Sequence, residues 1–175
     1  MKRTLVLGGV RSGKSAWAEG LLADAPAVSY VATAALRDDD ADWSDRIDVH
    51  RRRRPARWST IEAGDDPALL LTALKGTAPL LVDDLGNWMT SALDAAGGWD
   101  HGAQSVDGIA SALVEAVASC AVPLVLVSPE VGWGVLPATR AGRIFADAQG
   151  RLNQRLAAVC DDVTLVVAGL PMRLK

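Results

Sequence analysis

The stretch LVLGGVRSGKSAWAE, residues 5–19, decides the fold. It opens with a short apolar run typical of a buried strand. It then fits the pattern G-x-x-x-x-G-K-[ST] with Gly8, Gly13, Lys14 and Ser15, and continues as a helix-like segment. A glycine-rich turn between a strand and a helix directs backbone N–H groups at a phosphate near the positive end of the helix. We therefore predict a phosphate-binding loop at the start of an α/β fold.

Two side chains of this loop carry specific chemistry. The Lys14 ammonium is a mobile point charge suited to the β- and γ-phosphates of a nucleotide. The Ser15 hydroxyl is an oxygen ligand suited to Mg2+. The loop therefore predicts a nucleoside triphosphate as the ligand.

The rest of the chain alternates short Val- and Leu-rich runs with longer Ala-rich segments, which is typical of strands joined by crossover helices. The pattern predicts an α/β fold with a mostly parallel sheet and helices on both faces. The predicted strands are 4–7, 29–32, 58–61, 79–82, 123–127 and 163–167. The predicted helices are 14–22, 67–74, 87–93, 106–120 and 141–159. We read residues 94–102 as an exposed loop.

Composition limits the class of protein. The chain has 175 residues, half of them apolar, and a net charge of −3, so we expect one domain over 1–175 and no general attraction to nucleic acid. The chain has only two cysteines, Cys120 and Cys160, and they are far apart in sequence. They give neither a disulfide framework nor a metal spacing, which favours a reducing cytoplasm. No apolar run is long enough for a membrane anchor.

An acidic pair follows the apolar run at 79–82. In an open α/β sheet the ligand crevice lies at the carboxyl ends of the strands, so Asp83 should face the phosphate loop and serve as a metal or phosphate ligand. A helix begins soon after, and Asp84 is better placed to cap it.

The stretch DVHRRRRPARWSTIEA, residues 48–63, sets His50 beside four consecutive arginines. Guanidinium groups bind phosphate oxygens bidentately, and a neutral imidazole nitrogen can attack phosphorus. We therefore predict a phosphate clamp around a nucleophilic His50, against the alternatives of a solvated charged face and a nucleic-acid patch.

Glu130 follows the strand at 123–127 and is either a metal or substrate ligand or a loop cap. Trp133 either stacks on a ligand or packs in the core or at an interface.

Several motifs follow one another in a specific order: GGVRSGKSAWAE, YVATA, RIDVHRRRRPARWSTIE, LLVDDLGNWMT, VSPEVGWGVLP and GRLNQRLAAVCDDVTLVVAGLP. Together they resemble the bifunctional adenosylcobinamide kinase/adenosylcobinamide-phosphate guanylyltransferase family of cobalamin biosynthesis over nearly the whole chain. The resemblance implies a three-layer, RecA-like P-loop NTPase fold. It also implies phosphorylation of adenosylcobinamide by ATP or GTP, then transfer of GMP from GTP to adenosylcobinamide phosphate.

The resemblance also assigns residues. It implies that His50 becomes covalently guanylylated, that Ser15 and Asp83 bind Mg2+, and that the members form homo-oligomers, with a trimer as the expected number. The nucleotide-binding residues that it implies are Gly8, Gly9, Val10, Arg11, Ser12, Gly13, Lys14, Ser15, Thr33, Ala34, Ala35, Arg51, Arg52, Arg53, Arg54, Glu62 and Asp83.

Three positions depart from the family pattern. Pro129 replaces an asparagine, Asp84 replaces a cysteine, and Gly86 stands where a hydroxyl residue is common. These changes put the kinase half in more doubt than the transferase half. Two rival functions stay open: a P-loop kinase of another small alcohol without a covalent histidine, and a nucleotide-dependent regulatory or nucleic-acid-binding protein.

Overall fold

The computed structural model describes residues 2–34 and 55–175. Its strands are β1 (Arg3–Gly8), β2 (Ser29–Ala32), β3 (Ser59–Glu62), β4 (Leu80–Asp83), β5 (Leu124–Pro129), β6 (Asp162–Val167) and β7 (Leu170–Arg173). Its helices are α1 (Lys14–Gly20), α2 (Pro67–Ala73), α3 (Leu85–Ala95), α4 (Gly98–His101), α5 (Asp107–Ser119) and α6 (Arg140–Val159), with a 3-10 turn at Ala103–Val106.

The strands form one sheet in the order β3-β2-β4-β5-β1-β6-β7. All neighbouring pairs from β3 to β6 are parallel, and β7 alone among the described strands runs antiparallel. The predicted α/β fold with a mostly parallel sheet is thus confirmed. The strand order places the carboxyl ends of β1, β5 and β4 side by side, and these ends form the crevice where ligands bind in such sheets.

Successive side chains of a strand point to opposite faces, and β1 shows this directly. Leu5 and Leu7 join a large core cluster beneath α2, α3, α5 and α6. Val6 joins a second cluster with Ala18 of α1 and with residues of β2 and β4. The sheet is therefore covered on both faces, which gives the three layers that the sequence predicts.

The sequence prediction missed β7. Ala168 and Gly169, with φ of 50° and 80°, form a two-residue turn between the paired residues Val167 and Leu170. Positive φ at both central residues suits a tight hairpin. Pro171 is tolerated because β7 is an edge strand. Leu170–Arg173 therefore form the last strand of the sheet.

Most of residues 94–102 are exposed, as predicted, but the prediction of a loop there is wrong. Helix α3 continues to Ala95, and the chain reverses at Gly97, whose φ is 59°, before the short helix α4. A Cβ at Gly98 would lie 2.6 Å from Leu93 Cδ2, so this glycine lets α4 pack closely against α3. His101, at the end of α4, is exposed as the sequence indicated.

Cys120 and Cys160 are both free and buried, in agreement with the prediction of no disulfide. Burial raises the pKa of the Cys160 thiol to about 11, so it stays protonated at neutral pH. Within residues 2–34 and 55–175, none of the helices combines the length and apolar character needed to span a membrane.

Candidate active site

The phosphate loop joins β1 to α1 as predicted. Its backbone turns sharply at Arg11 and Gly13, where φ is 57° and 92°. Such a left-handed conformation is costly for most residues but not for glycine. Between these two positions the loop closes on itself, because Ser12 N donates a hydrogen bond to Gly9 O at 3.3 Å. The turn leaves backbone N–H groups available to phosphate oxygens.

Close packing requires glycine at two loop positions. A Cβ at Gly8 would lie 2.4 Å from Ser12 Oγ and 2.9 Å from the Val166 carbonyl oxygen. A Cβ at Gly13 would lie 3.1 Å from Gly169 Cα. The β6–β7 turn holds the loop from that side, because Gly169 N donates to Ser12 O at 2.7 Å. The unpredicted hairpin therefore supports the phosphate site directly.

The loop offers its side chains to solvent. The Lys14 ammonium lies over the loop, 3.4 Å from the Gly9 carbonyl oxygen, and this contact is exposed. Gly9, Val10 and Arg11 are exposed. A cation that folds back onto the loop backbone is positioned to meet the phosphates that this backbone binds.

Asp83 lies opposite the loop, as predicted. It is the last residue of β4 rather than the residue after it. Its Oδ1 accepts a hydrogen bond from Ser15 Oγ at 3.1 Å, and its Oδ2 accepts one from Tyr30 Oη at 2.8 Å. A hydroxyl and a carboxylate within 3.1 Å are hard oxygen donors of the kind that Mg2+ takes from proteins, with phosphates and water completing its shell. The pair therefore fits the implied metal.

Thr33 follows β2 and is buried. Its hydroxyl donates to the Asp84 carbonyl oxygen at 2.6 Å, and its N–H donates to the Asp83 carbonyl oxygen at 3.4 Å. Both hydrogen-bond donors of Thr33 are therefore already engaged within the protein. Ala34 is partly buried beside it.

Glu62 ends β3 and is exposed. The registers pair Ala32 of β2 with both Glu62 and Asp83, so Glu62 lies two strands, roughly 10 Å, from Asp83 along the same edge. It is thus at the same edge as the phosphate site. The remaining predicted residues, Ala35, His50, Arg51, Arg52, Arg53 and Arg54, lie outside the described residues.

Asp84 caps helix α3, as the sequence indicated. Its Oδ1 accepts hydrogen bonds from the N–H groups of Gly86 and Asn87, both at 3.0 Å. Burial raises the pKa of the Asp84 carboxyl, and the neighbouring Asp83 raises it further, although the two backbone hydrogen bonds and Lys14 lower it. Asp84 therefore starts α3 two residues earlier than predicted.

The three departures from the family pattern lie together. A Cβ at Gly86 would meet Pro129 Cγ at 2.8 Å and Asp84 Oδ1 at 3.3 Å. The first distance is shorter than packed atoms tolerate, and a proline ring cannot rotate away. Pro129 therefore requires glycine at 86, and the two changes compensate each other across the carboxyl ends of β4 and β5.

This contact gives a stability prediction. We expect Gly86→Ser to lower the free energy of unfolding by about 1–3 kcal/mol, because the added atoms overpack a site held by a rigid ring. Adding Pro129→Asn should recover at least about 1 kcal/mol of that loss. Urea unfolding of the two single variants and the double variant measures the coupling.

Gly150→Ser is the matched control. Gly150 also lies inside a helix, α6, but a Cβ there meets no atom within 4 Å, so serine should be neutral or stabilise by up to about 0.5 kcal/mol. If the changes in the free energy of unfolding of the two single variants simply add in the double variant, the coupling between Gly86 and Pro129 is contradicted.

The loop after β5 contains Glu130 and Trp133, and for each of them the sequence left more than one interpretation open. Glu130 Oε1 accepts a hydrogen bond from Gly132 N at 2.8 Å, which supports its interpretation as a loop cap. Its backbone N–H donates to Gly8 O at 3.1 Å and so fastens this loop to the phosphate loop. Trp133 is 73% exposed, so it does not pack in the core of the described chain, and stacking on a ligand and packing at an interface both stay predictions.

Sequence reasoning missed two features of this site. Tyr30 was predicted only as part of a strand, yet it binds the key carboxylate. A buried network was also missed: Ser128 Oγ donates to Asn153 Oδ1 at 2.6 Å, and Asn153 Nδ2 donates to the Pro129 carbonyl oxygen at 3.0 Å. The motif GRLNQRLA contains Asn153, and a polar residue on the apolar face of α6 was the available signal.

Comparisons with known proteins point to one family along nearly the whole chain. Residues 4–174 match the family model described as cobinamide kinase / cobinamide phosphate guanyltransferase. The chain is 41% identical to the bifunctional adenosylcobalamin biosynthesis protein CobU of Salmonella typhimurium, over 98% of each chain. It is 43% identical to the corresponding protein CobP of Pseudomonas aeruginosa, over 99% of this chain and 97% of the relative.

A third relative, the bifunctional adenosylcobalamin biosynthesis protein CobU of Escherichia coli, is 37% identical over 98% of each chain. Among solved structures, a prototypical ATPase from the type III secretion system of pathogenic bacteria superposes with a TM-score of 0.59 at 10% identity. The match covers 98% of this chain and 56% of the ATPase chain. At that identity the likeness concerns the fold, and it agrees with a RecA-like P-loop arrangement.

Proposed function

We propose that this chain, which belongs to the cobinamide kinase / cobinamide phosphate guanyltransferase family, catalyses two successive reactions on one corrinoid. It phosphorylates adenosylcobinamide with ATP or GTP, and it then transfers GMP from GTP to adenosylcobinamide phosphate. The products of the second reaction are adenosyl-GDP-cobinamide and pyrophosphate. Relatives named as bifunctional match along nearly the whole chain, so a P-loop kinase of another small alcohol is not favoured.

The observation that carries the proposal is the contact between Ser15 and Asp83 at the mouth of the phosphate loop. It joins the loop to the strand-end carboxylate, as phosphoryl transfer to an acceptor requires. In the kinase reaction the acceptor hydroxyl attacks the γ-phosphorus and releases its proton to solvent, and the bond from the γ-phosphorus to the departing nucleoside diphosphate breaks. Lys14 and the loop N–H groups stabilise the negative charge that develops on the phosphate oxygens.

The second reaction uses His50 as nucleophile. A ring nitrogen of His50 attacks the α-phosphorus of GTP, and the bond to pyrophosphate breaks. An oxygen of adenosylcobinamide phosphate then attacks the same phosphorus, and the P–N bond breaks to release His50. Arg51, Arg52, Arg53 and Arg54 flank this nucleophile in sequence, and their guanidinium groups suit the phosphates of GTP. Glu62 is an acceptor suited to hydrogen-bond donors of the guanine base or the ribose.

Ser15 and Asp83 are the residues that would hold Mg2+. When bound, the metal neutralises phosphate charge and polarises the phosphorus–oxygen bond. The hydroxyl and carboxylate orient toward the phosphate loop from α1 and β4. Among residues 2–34 and 55–175 no cluster of three or more histidine, cysteine or acidic side chains is suited to a metal.

We propose that residues 1–175 act as one nucleotide-binding domain, because the strands of a single sheet extend along the chain from Arg3 to Arg173. We also propose a cytoplasmic homo-oligomer, with a trimer as the first expectation. The exposed apolar side chains of the edge strand β7, Leu170 and Met172, support contact between copies. No nucleic-acid partner is proposed.

Turnover of the corrinoid tests this function. The purified protein is incubated with adenosylcobinamide and ATP labelled at the γ-phosphate, and then with GTP labelled at the α-phosphate. We expect label from the first nucleotide in adenosylcobinamide phosphate and label from the second in adenosyl-GDP-cobinamide. Consumption of γ-label with another small alcohol but not with the corrinoid would favour the rival kinase. Salt-sensitive binding to nucleic acid without turnover would favour the regulatory alternative.

A further inference from the structure

The hydroxyl of Tyr30 contacts the carboxylate that faces the phosphate loop. Tyr30 is the second residue of β2 and is 1% exposed. Its Oη donates to Asp83 Oδ2 at 2.8 Å, while Oδ1 of the same carboxylate accepts from Ser15 Oγ at 3.1 Å. Hydroxyls from two different elements, β2 and α1, therefore hold the two oxygens of one carboxylate.

The register of the sheet explains how Tyr30 reaches Asp83. In the parallel pair of β2 and β4, Tyr30 is level with Leu81, and Ala32 is level with Asp83. Tyr30 and Leu81 belong to the same core cluster on the α1 face, and Asp83, two residues after Leu81, points to that face as well. Tyr30 starts roughly 6.6 Å before Asp83 along the strand. A phenol ring spans this gap, and a shorter hydroxyl side chain does not.

The contact restrains the carboxylate. A buried tyrosine hydroxyl needs an acceptor, and a hydrogen bond to a charged acceptor is stronger than one between neutral groups. The Tyr30 ring is fixed by its packing in the core, so its hydroxyl fixes the rotamer of Asp83 in turn. A carboxylate that is already oriented loses little freedom when nucleotide and metal arrive.

We propose that Tyr30 is a positioning residue for both reactions: it holds Asp83 in the orientation that serves the phosphate loop. It acts through Asp83 and does not itself touch the nucleotide. The part of this inference that concerns turnover rests on the proposed function. The part that concerns the state of Asp83 needs only nucleotide and metal, so the two can fail separately.

A spectroscopic test uses the fact that Tyr30 is the only tyrosine in the chain. Tyrosine labelled with 13C at Cζ gives one resonance, whose shift responds to the hydrogen bond made by the hydroxyl. We expect this resonance to move in Asp83→Ala and to move again in the wild type when Mg2+ and a non-hydrolysable GTP analogue are added. A resonance unaffected by both changes would overturn the proposal.

Kinetics of Tyr30→Phe, which removes only the hydroxyl, give the second test. We expect kcat of both reactions to fall about ten-fold or more. We also expect the Mg2+ concentration for half-maximal rate to rise several-fold, with the KM for the corrinoid unchanged. Binding of Mn2+ in the presence of the GTP analogue, followed by electron paramagnetic resonance, should weaken in parallel and requires no corrinoid.

Thr164→Val is the matched control. It removes another buried hydroxyl from a strand, β6, that lies three positions from β4 in the sheet. We expect it to retain wild-type kinetics and Mn2+ affinity. Equal effects of Tyr30→Phe and Thr164→Val, or wild-type metal dependence in Tyr30→Phe, would assign Tyr30 to general packing. If the wild type has no turnover on the corrinoid, the proposed function fails, while the resonance and the Mn2+ affinity still decide the role of Tyr30.

Discussion

Replacing His50 with alanine is expected to abolish covalent labelling of the protein by GTP carrying a radioactive α-phosphate. A phosphoramidate needs a nitrogen atom as its nucleophile, and a hydroxyl or a carboxylate cannot form the same bond. The wild-type label should be acid-labile and base-stable, as expected of a P–N bond. Synthesis of adenosyl-GDP-cobinamide should fall about 10³-fold or more, since the covalent route is lost.

The rate of the kinase reaction should change little in His50→Ala, because the γ-phosphoryl group passes directly from the nucleotide to the acceptor hydroxyl. The chain has only two histidines, so His101→Ala is the matched control. His101 is exposed at the end of α4, and its loss should leave both label and turnover intact. Label that survives in His50→Ala but disappears in His101→Ala would show that His101, and not His50, is the nucleophile.

The fold was predictable because a parallel sheet covered on both faces gives a clear sequence signal. Its strands are continuous apolar runs, and six of them lie within two residues of the predicted bounds. The phosphate loop was predictable because its glycines serve local backbone geometry. The hairpin that closes β7 was missed because Ala168 gives little sign of its positive φ, and because an exposed edge strand lacks the apolar pattern of a buried one.

The contacts around Asp83 could not be predicted for a different reason. Tyr30 of β2 meets Asp83 of β4, and Gly86 of α3 meets Pro129 of β5, so each contact joins elements that are distant in sequence. The first contact depends on the register of the two strands, and a shift of one residue would turn the side chain to the other face. Pattern reasoning identified Pro129 and Gly86 as two separate departures. Only their packing shows that each accommodates the other.

Replacing Lys14 with alanine is expected to impair both reactions, in contrast to the loss at His50. The loop that carries Lys14 holds the phosphates of the nucleotide in each reaction, and the ammonium lies directly over its backbone. We expect kcat/KM to fall about 10²–10³-fold for the kinase and for the transferase. The variant lacks the preorganised positive charge that stabilises the negative charge developing on the phosphate oxygens. Steady-state assays with each labelled nucleotide measure the two losses separately.

Stability should separate this loss from unfolding. Among the described residues the Lys14 ammonium makes a long contact, 3.4 Å to the Gly9 carbonyl oxygen, and its charge lies at the start of α1, where the helix dipole disfavours a cation. Lys14→Ala should therefore change the free energy of unfolding by less than about 0.5 kcal/mol. Lys75→Ala, at an exposed position just after α2, controls for the removal of one positive charge and should retain full activity. A Lys14→Ala protein that keeps its kinase rate would show that the γ-phosphate is bound elsewhere than in this loop, and the assignment of the first reaction to this crevice would fall with it.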